Sequence, residues 1–234
     1  MKTIGFKQIM VLGCWALAFL AGSCGRADIE PYGSKDKIWF TQKNDDNEPV
    51  NDLLRSFSLY PGSETLDVSF QVNLIGSLAD YDRTYAAVVV DSLTTADPSE
   101  YEIHPTVLRA GKVSDELVVT LKKSERMKTE EVKLTLYIVA NETFDPGYSN
   151  GLQVSVRFND ITTCPEWWTE DVANAYFGPY SKEKFEAFYE YSGRNDIEGL
   201  EPSELRKLLL GFKEYIRENN ITEADGSEMI IPVY

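Results

Sequence analysis

The chain has 234 residues, with 38 Asp and Glu against 23 Lys and Arg, which gives a formal net charge of −15 and a pI near 4.5. This charge argues against nucleic-acid binding, which needs clustered Lys and Arg, and against attachment to an anionic membrane through basic patches. One His and three Cys leave few side chains for zinc sites or for Cys- and His-based catalysis. The 43% hydrophobic and 12% aromatic content predicts a packed core and excludes a disordered chain.

The first residues are typical of an exported lipoprotein. Lys2 and Lys7 form a short basic segment before an apolar run over residues 9–20. The run is too short for a membrane span of ~20 residues but fits a secretory signal. The sequence Leu20-Ala21-Gly22-Ser23-Cys24 then resembles a bacterial lipobox, although its usual Leu is displaced by one position. We therefore predict a signal peptide over residues 1–23, acylation of Cys24, and an anchor and tether over residues 24–36. The alternative is an ordinary secretory signal in which Cys24 is incidental.

The cysteine count indicates a mature chain without an intramolecular disulfide. Cys14 leaves with the signal peptide, Cys24 carries the lipid, and only Cys164 remains, which we expect to be packed in the core. Removal of the signal leaves 21 basic against 38 acidic residues, a net charge of −17. The stability of the mature chain must therefore come from packing.

Residues 37–160 show the period of two that is typical of strands. Alternation predicts half-buried strands, and the more continuous apolar run over residues 85–90 predicts a strand buried on both faces. The predicted strands cover residues 38–40, 57–59, 66–74, 85–90, 107–108, 117–121, 132–138 and 154–158. Because no helical crossovers lie between them, we predict an immunoglobulin-like antiparallel β-sandwich over residues 37–160.

The period changes to 3.6 after residue 160, and we predict a small three-helix domain over residues 161–234. Thr163-Cys164-Pro165-Glu166 has the pattern of a capping box that begins a first helix, with Trp168, Val172 and Tyr176 on one face. Ser181 is expected to cap the second helix and Pro202 to begin the third.

Few residues suggest catalysis. Ser181 and Lys184 match the S-x-x-K spacing of some acyl-transfer enzymes, but the companion motifs are missing and a helix cap explains Ser181 better. His104 has no partner at a meaningful spacing, and nothing places two carboxylates across a cleft as a glycosidase requires. We therefore predict that the protein is not an enzyme and has no cofactor.

Calcium is the metal that the carboxylates could hold. Two groups in inter-strand loops could supply oxygen ligands: Asp80, Asp82 and Asp91, or Asp97, Glu100 and Glu102. Thr94-Thr95-Ala96-Asp97 and the strand after Gly111 loosely resemble a Calx-β sandwich, but the D-x-[DN]-x-[DN]-G loop is absent. A solvated acidic surface explains the carboxylates better, so we predict no metal site.

Trp167 is the candidate binding residue. On a helix it would share its face with Glu170, Asp171 and Asn174, which predicts an exposed indole. An exposed Trp can stack on a sugar ring or anchor a protein interface. The alternative is that Trp167 covers the junction between the sandwich and the helices.

Several stretches, in order, resemble a family of Bacteroidetes outer-membrane lipoproteins known only as domain of unknown function number forty-eight forty-three. These stretches are Ile38-Trp39-Phe40, Leu74-Ile75-Gly76, Tyr81-Asp82-Arg83, Thr94-Thr95-Ala96, Pro165 with Trp167-Trp168, Tyr176-Phe177-Gly178-Pro179-Tyr180-Ser181 with Lys184, and Asp225-Gly226-Ser227-Glu228-Met229. The resemblance implies an accessory surface lipoprotein beside SusC/SusD-like, TonB-dependent nutrient importers, and it assigns no catalytic residue. Asp91-Ser92-Leu93 also resembles the O-glycosylation signal of exported proteins in that phylum, which predicts modification of Ser92.

The sequence therefore predicts a non-enzymatic lipoprotein, anchored in the outer membrane and facing the cell surface, that helps an importer to capture a glycan or an oligopeptide. A stand-alone glycan-binding module is the alternative. A hydrolase is a third reading, which would require two carboxylates ~5–9 Å apart in a cleft.

Overall fold

The computed structural model of the protein describes residues 35–44, 48–50 and 52–233. These residues form the strands β1 (Asp36–Thr41), β2 (Leu53–Ser56), β3 (Thr65–Ile75), β4 (Arg83–Thr84), β5 (Ala86–Val89), β6 (Tyr101–Ile103), β7 (Val107–Leu108), β8 (Ser114–Lys122), β9 (Val132–Val139), β10 (Phe144–Pro146) and β11 (Gln153–Asn159). Three helical segments follow: α1 (Glu170–Val172), which continues as a π-helix over Ala173–Phe177, α2 (Lys182–Ser192) and α3 (Pro202–Asn219).

The strands form the predicted β-sandwich. One sheet has the order β10-β1-β3-β8-β6 and the other has the order β2-β11-β9-β5, while β4 and β7 form a small separate pair. Most neighbours are antiparallel, as expected, but β1 pairs with β10 and β11 pairs with β2 in parallel. These two parallel pairs lie at sheet edges and differ from the purely antiparallel arrangement that the sequence predicts.

The alternating pattern of residues 66–74 has the predicted consequence. In the register of β3 with β8, Phe70 lies opposite Leu117 and Val68 opposite Val119, and all four side chains are buried. Successive side chains of a strand point to opposite faces, so the polar residues between them reach solvent. The sandwich core is thus built from alternate residues of paired strands.

Two strand predictions are wrong in detail. Residues 57–59 form a 3₁₀ turn directly after β2, with Phe57 buried. Residues 85–90 contain β5, which lies at the edge of its sheet, and Val88 is 44% exposed. An apolar run is typical of a central strand, but here β5 has only one neighbour, β9.

The first helix begins later than the capping-box pattern predicts. Thr163 donates to the carbonyl of Ile161, and the side chain of Thr169 caps α1 by accepting from the N–H of Val172. The chain before residue 170 is therefore not helical, and Trp168 precedes the helix. The other two predictions are confirmed, since Ser181 caps α2 and Pro202 is the first residue of α3.

The helices bury a second core, separate from that of the sandwich. It includes the predicted stripe of α3, of which Leu205, Leu209, Phe212 and Ile216 are buried. The short turn Phe57–Leu59 touches both cores, because Phe57 belongs to the sandwich core and Leu59 packs against the helical one. No helix among the described residues has the length and apolar character needed to cross a membrane.

Candidate functional site

A groove at the side of the sandwich is the candidate site, because it combines exposed aromatic rings with side-chain amides. It arises because β2 pairs with β11 only from Val156 onward, so the first residues of β11 have no strand on that side in the described part of the chain. The side chain of Gln42, just after β1, takes that place: its Oε1 accepts the N–H of Ser155 at 2.8 Å. The resulting groove has a volume of about 870 Å³.

One wall of the groove is aromatic. The rings of Trp39 and Tyr148 meet edge to face, with centroids 5.0 Å apart and an interplanar angle of 79°. Tyr148 is 58% exposed, and Trp39 is half-buried. Such a perpendicular pair holds both rings in place and leaves ring surface available to a ligand.

Two glycines allow the wall to form. A Cβ on Gly151 would lie 2.6 Å from the carbonyl oxygen of Phe40 and 2.7 Å from Cδ1 of Trp39. A Cβ on Gly147 would lie 2.9 Å from the carbonyl oxygen of Ile38, which accepts the N–H of Gly147 at 2.8 Å. The loop that carries Tyr148 can therefore approach β1 this closely only with glycine at these positions.

The rest of the groove is polar and electrically balanced. Gln42, Asn150 and Gln153 contribute side-chain amides, and the buried Nε2 of Gln42 has no hydrogen-bond partner among the described residues. Asp52 forms an ion pair with Lys133 at 2.8 Å. Among the described residues of the lining, the charged groups are those of Asp52 and Lys133, which neutralise each other. This part of the groove therefore suits an uncharged ligand that offers hydroxyl groups to amides and an apolar face to the aromatic rings.

The sequence did not identify this groove. Trp39 lies in a predicted strand, but Tyr148 and Asn150 follow β10 in a segment without any period. The closest signal is the run Gly147-Tyr148-Ser149-Asn150-Gly151, an aromatic residue among turn residues.

Trp167 is less exposed than predicted and does not line the groove. It is half-buried, its indole N–H donates to the carbonyl of Asn195 at 2.9 Å, and its ring stacks on Trp168 with centroids 5.2 Å apart. The two adjacent indoles can stack because this part of the chain is not helical. Trp167 therefore packs against the helical core, and the ring contacts and hydrogen bond described for it are with residues of the helical region.

The modification sites can be placed only in part. Ser92 is exposed in the 3₁₀ turn Asp91–Leu93, next to β5, so its hydroxyl is accessible. Cys24 lies outside the described residues. Cys164 is exposed and not packed in the core as expected, because the chain around it does not form the predicted helical turn.

The S-x-x-K residues have structural roles. Oγ of Ser181 accepts the N–H of Lys184 at 3.2 Å as the cap of α2. The Lys184 ammonium is buried, donates to the carbonyl of Pro179 at 2.8 Å and lies 3.3 Å from Oε1 of Glu223. It thereby holds the C-terminal segment against the helices. His104 forms a surface hydrogen bond with Thr120 at 2.9 Å.

In the second group considered for calcium, Arg126 lies within ion-pair distance of Asp97 and Glu100, and Lys122 pairs with Glu102. Arg126 pairs with Glu100, which also accepts from the hydroxyl of Ser124. These hydrogen bonds lower the pKa of Glu100 to about 2. Asp82 accepts the N–H of Ala110 at 2.8 Å. Within the described ranges, no three His, Cys, Asp or Glu side chains are arranged to hold a metal ion.

These features define a two-sheet sandwich with an aromatic and amide groove at its side and an aromatic helical region at its C-terminal end. The chain belongs to the family described as a domain of unknown function (DUF4843), whose profile matches residues 32–194. No curated protein matches the sequence.

Solved structures of similar fold share little sequence with the chain. A provisionally assigned carbohydrate-binding protein from Bacteroides ovatus is 13% identical, with a TM-score of 0.38 over 53% of this chain and 37% of that one. A two-domain protein of unknown function from Bacteroides fragilis is 16% identical, with a TM-score of 0.37 over 68% of this chain and 51% of that one. The apo form of the Calx CBD1 domain is 10% identical, with a TM-score of 0.37 over 54% of this chain and 98% of that domain. The chain thus spans about a third to a half of the first two proteins.

Proposed function

We propose that the protein is a non-enzymatic, lipid-anchored protein of the outer-membrane surface that binds an uncharged saccharide in the side groove. The observation that carries the proposal is the perpendicular pair of Trp39 and Tyr148 beside three side-chain amides. Sugar rings present apolar C–H faces and a rim of hydroxyl groups, which these two kinds of side chain complement.

The charges in the groove support binding without hydrolysis. Among the described residues of the lining, Asp52 is the sole carboxylate, and Lys133 pairs with it. Glycoside hydrolysis ordinarily needs two carboxyl groups on either side of the scissile bond, one of them protonated. A single paired carboxylate favours ligand binding.

The saccharide proposal is tested by calorimetry of the mature protein against a panel of neutral and uronate-containing polysaccharides. We expect binding to a neutral member and a loss of affinity of about fivefold in Tyr148→Ala, since an aromatic contact contributes on the order of 1 kcal/mol. Tyr81→Ala is the matched control, because Tyr81 is 64% exposed and lies outside the groove. Equal losses in both variants, or binding to uronates alone, would contradict the proposal.

Anchoring through Cys24 rests on the lipobox-like sequence alone. A diacylated, N-acylated cysteine holds a chain at a bilayer without a transmembrane helix. Mass spectrometry of the protein extracted from outer membranes tests it, and an unmodified Cys24 would refute it. Cys24→Ser should release the protein from the membrane fraction, whereas Cys164→Ser should leave it there.

Association with a SusC/SusD-like importer is a second proposal, supported by what the family resemblance implies and independent of the groove. In this arrangement the protein passes a glycan or an oligopeptide to the importer. Co-purification from detergent-solubilised outer membranes tests it, and we expect importer subunits with the wild type and with Tyr148→Ala alike. A preparation without importer subunits favours the stand-alone glycan-binding protein.

A further inference from the structure

The end of the sandwich where the described chain begins carries a group of exposed apolar side chains. Ile75, Leu78, Tyr81 and Val113 are 38%, 58%, 64% and 63% exposed. All four lie at or beside two loops, residues 76–82 after β3 and residues 109–113 before β8. We call these two loops, with Ile75, the apolar tip.

The apolar tip is a braced structure. The N–H of Gly111 donates to the carbonyl of Ala79 at 2.8 Å, which joins the two loops, and the N–H of Leu74 donates to the carbonyl of Val113 at 2.9 Å. Oδ1 of Asp82 accepts the N–H of Ala110 at 2.8 Å. The apolar side chains are therefore held outward by ordered backbone.

The first residues of β1 are attached to the same tip. Asp36 accepts the N–H of Ser77 at 3.1 Å and pairs with Arg83 at 2.6 Å. Gly76, with a φ of +146°, permits this contact, since a Cβ there would collide with the Asp36 carboxylate. The chain that leads back to Cys24 thus leaves the sandwich at the tip.

The helical region lies at the opposite end of the sandwich. Strand β3 runs from Thr65, opposite Lys122, to Ile75 at the tip, opposite Lys37, a distance of ~33 Å at ~3.3 Å per residue. At the Thr65 end, Asp160 donates its N–H to the carbonyl of Met127 and pairs with Lys123. The helices therefore begin far from the point where the tether enters.

The charge of the apolar tip differs from that of the whole chain. Its two loops contain Asp80, Asp82, Arg109 and Lys112, so their net charge is zero in a chain of net charge −15. An acidic surface is repelled by an anionic bilayer, while a neutral one with exposed Tyr and Leu side chains can enter the interface between headgroups and acyl chains.

We propose that the apolar tip rests on the lipid surface of the membrane and orients the protein, with the helical region pointing away. The proposal depends on the lipid anchor at Cys24. Eleven residues separate Cys24 from Asp36, and the connection spans at most about 40 Å, so the tether holds the tip within reach of the bilayer. The occupant of the apolar surface is then the lipid itself.

Nitroxide quenching tests the orientation of the mature lipidated protein in vesicles of phosphatidylethanolamine and phosphatidylglycerol. A fluorophore is attached at Val113→Cys or at Ile230→Cys, each in a Cys164→Ser background. Ile230 is the matched control, since it is 64% exposed and lies in the C-terminal segment that packs on the helices. With nitroxide on the lipid headgroups, we expect severalfold stronger quenching at position 113, and a return to the level of position 230 when Leu78→Asp and Tyr81→Asp are added.

Equal quenching at the two positions, or quenching that the Asp substitutions leave unchanged, would overturn the proposal. Quenching at neither position in vesicles, together with protection of position 113 from water-soluble quenchers in native outer membranes, would also overturn it and would identify a protein as the occupant. Failure of the lipid anchor is distinguishable from these outcomes, because the protein would then not float with the vesicles at all.

Discussion

The two cores of the molecule are organised differently. The sandwich core consists mainly of aliphatic residues at alternate positions of long paired strands, so the backbone register determines which side chains meet. The helical core also buries aliphatic side chains such as Leu209 and Ile231, but it contains a series of aromatic rings in successive contact, in the order Tyr180, Trp168, Trp167, Phe177, Phe188, Phe212, Tyr191 and Tyr215. Large stretches on either side of these helices, residues 161–169 and 221–233, have little regular secondary structure.

This difference shows how stability is distributed. In the sandwich, each side chain is one of many on strands that the hydrogen-bonded ladder already aligns. In the helical region, the irregular stretches are held by a few large side chains and by the buried Lys184. We therefore expect the helical region to be the more sensitive of the two to the loss of one ring.

The largest effect is expected from Phe188→Ala. Phe188 is fully buried, and its ring contacts those of Trp167, Phe177 and Phe212, so the cavity should lower the free energy of unfolding by about 3–5 kcal/mol. The measurement is urea unfolding of the chain without residues 1–23, in a Trp39→Phe background, where fluorescence reports Trp167 and Trp168 while far-UV circular dichroism also reports the strands. The fluorescence transition should move to lower urea and precede the main dichroism transition.

Leu136→Ala is the matched control for this comparison. Leu136 is 1% exposed in β9 of the sandwich, and its truncation should cost about 2–5 kcal/mol without advancing the fluorescence transition. If both variants shift both signals together, the two cores unfold as one unit and the contrast between them fails.

A smaller effect, confined to the sandwich, is expected from Glu100→Gln. Arg126 and the other hydrogen-bond donors lower the pKa of Glu100 from 4.5 to about 2, which corresponds to about 3 kcal/mol of stability from the ionised form. Because the folded-state pKa is the lower one, this stabilisation is complete above pH ~4.5 and is lost as the pH falls toward about 2. Urea unfolding should show the full difference between wild type and Glu100→Gln at neutral pH and little difference at the acid limit.

The control is Glu102→Gln, two residues further along the chain in β6. Glu102 is exposed and pairs with Lys122 at the surface, where ion pairs contribute little. Its substitution should leave the dichroism transition unchanged at neutral pH. A shift as large as that of Glu100→Gln would mean that burial of the carboxylate is not the source of the stability.

The sequence predicts the sandwich better than the helical region for a physical reason. Alternation over residues 66–74 identifies β3 and its buried face, because one side of a strand must leave water. It does not identify a strand's neighbours, so the apolar run over residues 85–90 predicts a strand buried on both faces although β5 is at the edge. Residues 163–166 satisfy the capping pattern, yet the helix begins at Glu170 because Thr169 caps it and the two adjacent indoles stack.

The candidate groove was beyond sequence reasoning for the same reason. Its aromatic wall depends on the parallel pairing of β1 with β10, which brings Tyr148 to Trp39 from a distant part of the chain. No local pattern encodes that pairing. Helical geometry predicts an exposed Trp167, but the chain is irregular there and its indole stacks on that of Trp168.

The smallest effect is expected from Ser181→Ala, which tests whether a small loss of stability in the helical region stays there or spreads to the sandwich. Loss of the N-cap should lower the free energy of unfolding by about 1 kcal/mol, and it acts on α2, which carries Phe185 and Phe188 into the helical core. Ser203→Ala is the matched control, since Ser203 is exposed in the first turn of α3, where Glu201 forms the cap. If the cores are separable, Ser181→Ala should move only the fluorescence transition. An equal shift of the dichroism transition would show that the two cores unfold as one cooperative unit, with the turn Phe57–Leu59 as the contact between them. The loss of one ring in the helical region would then destabilise the whole protein.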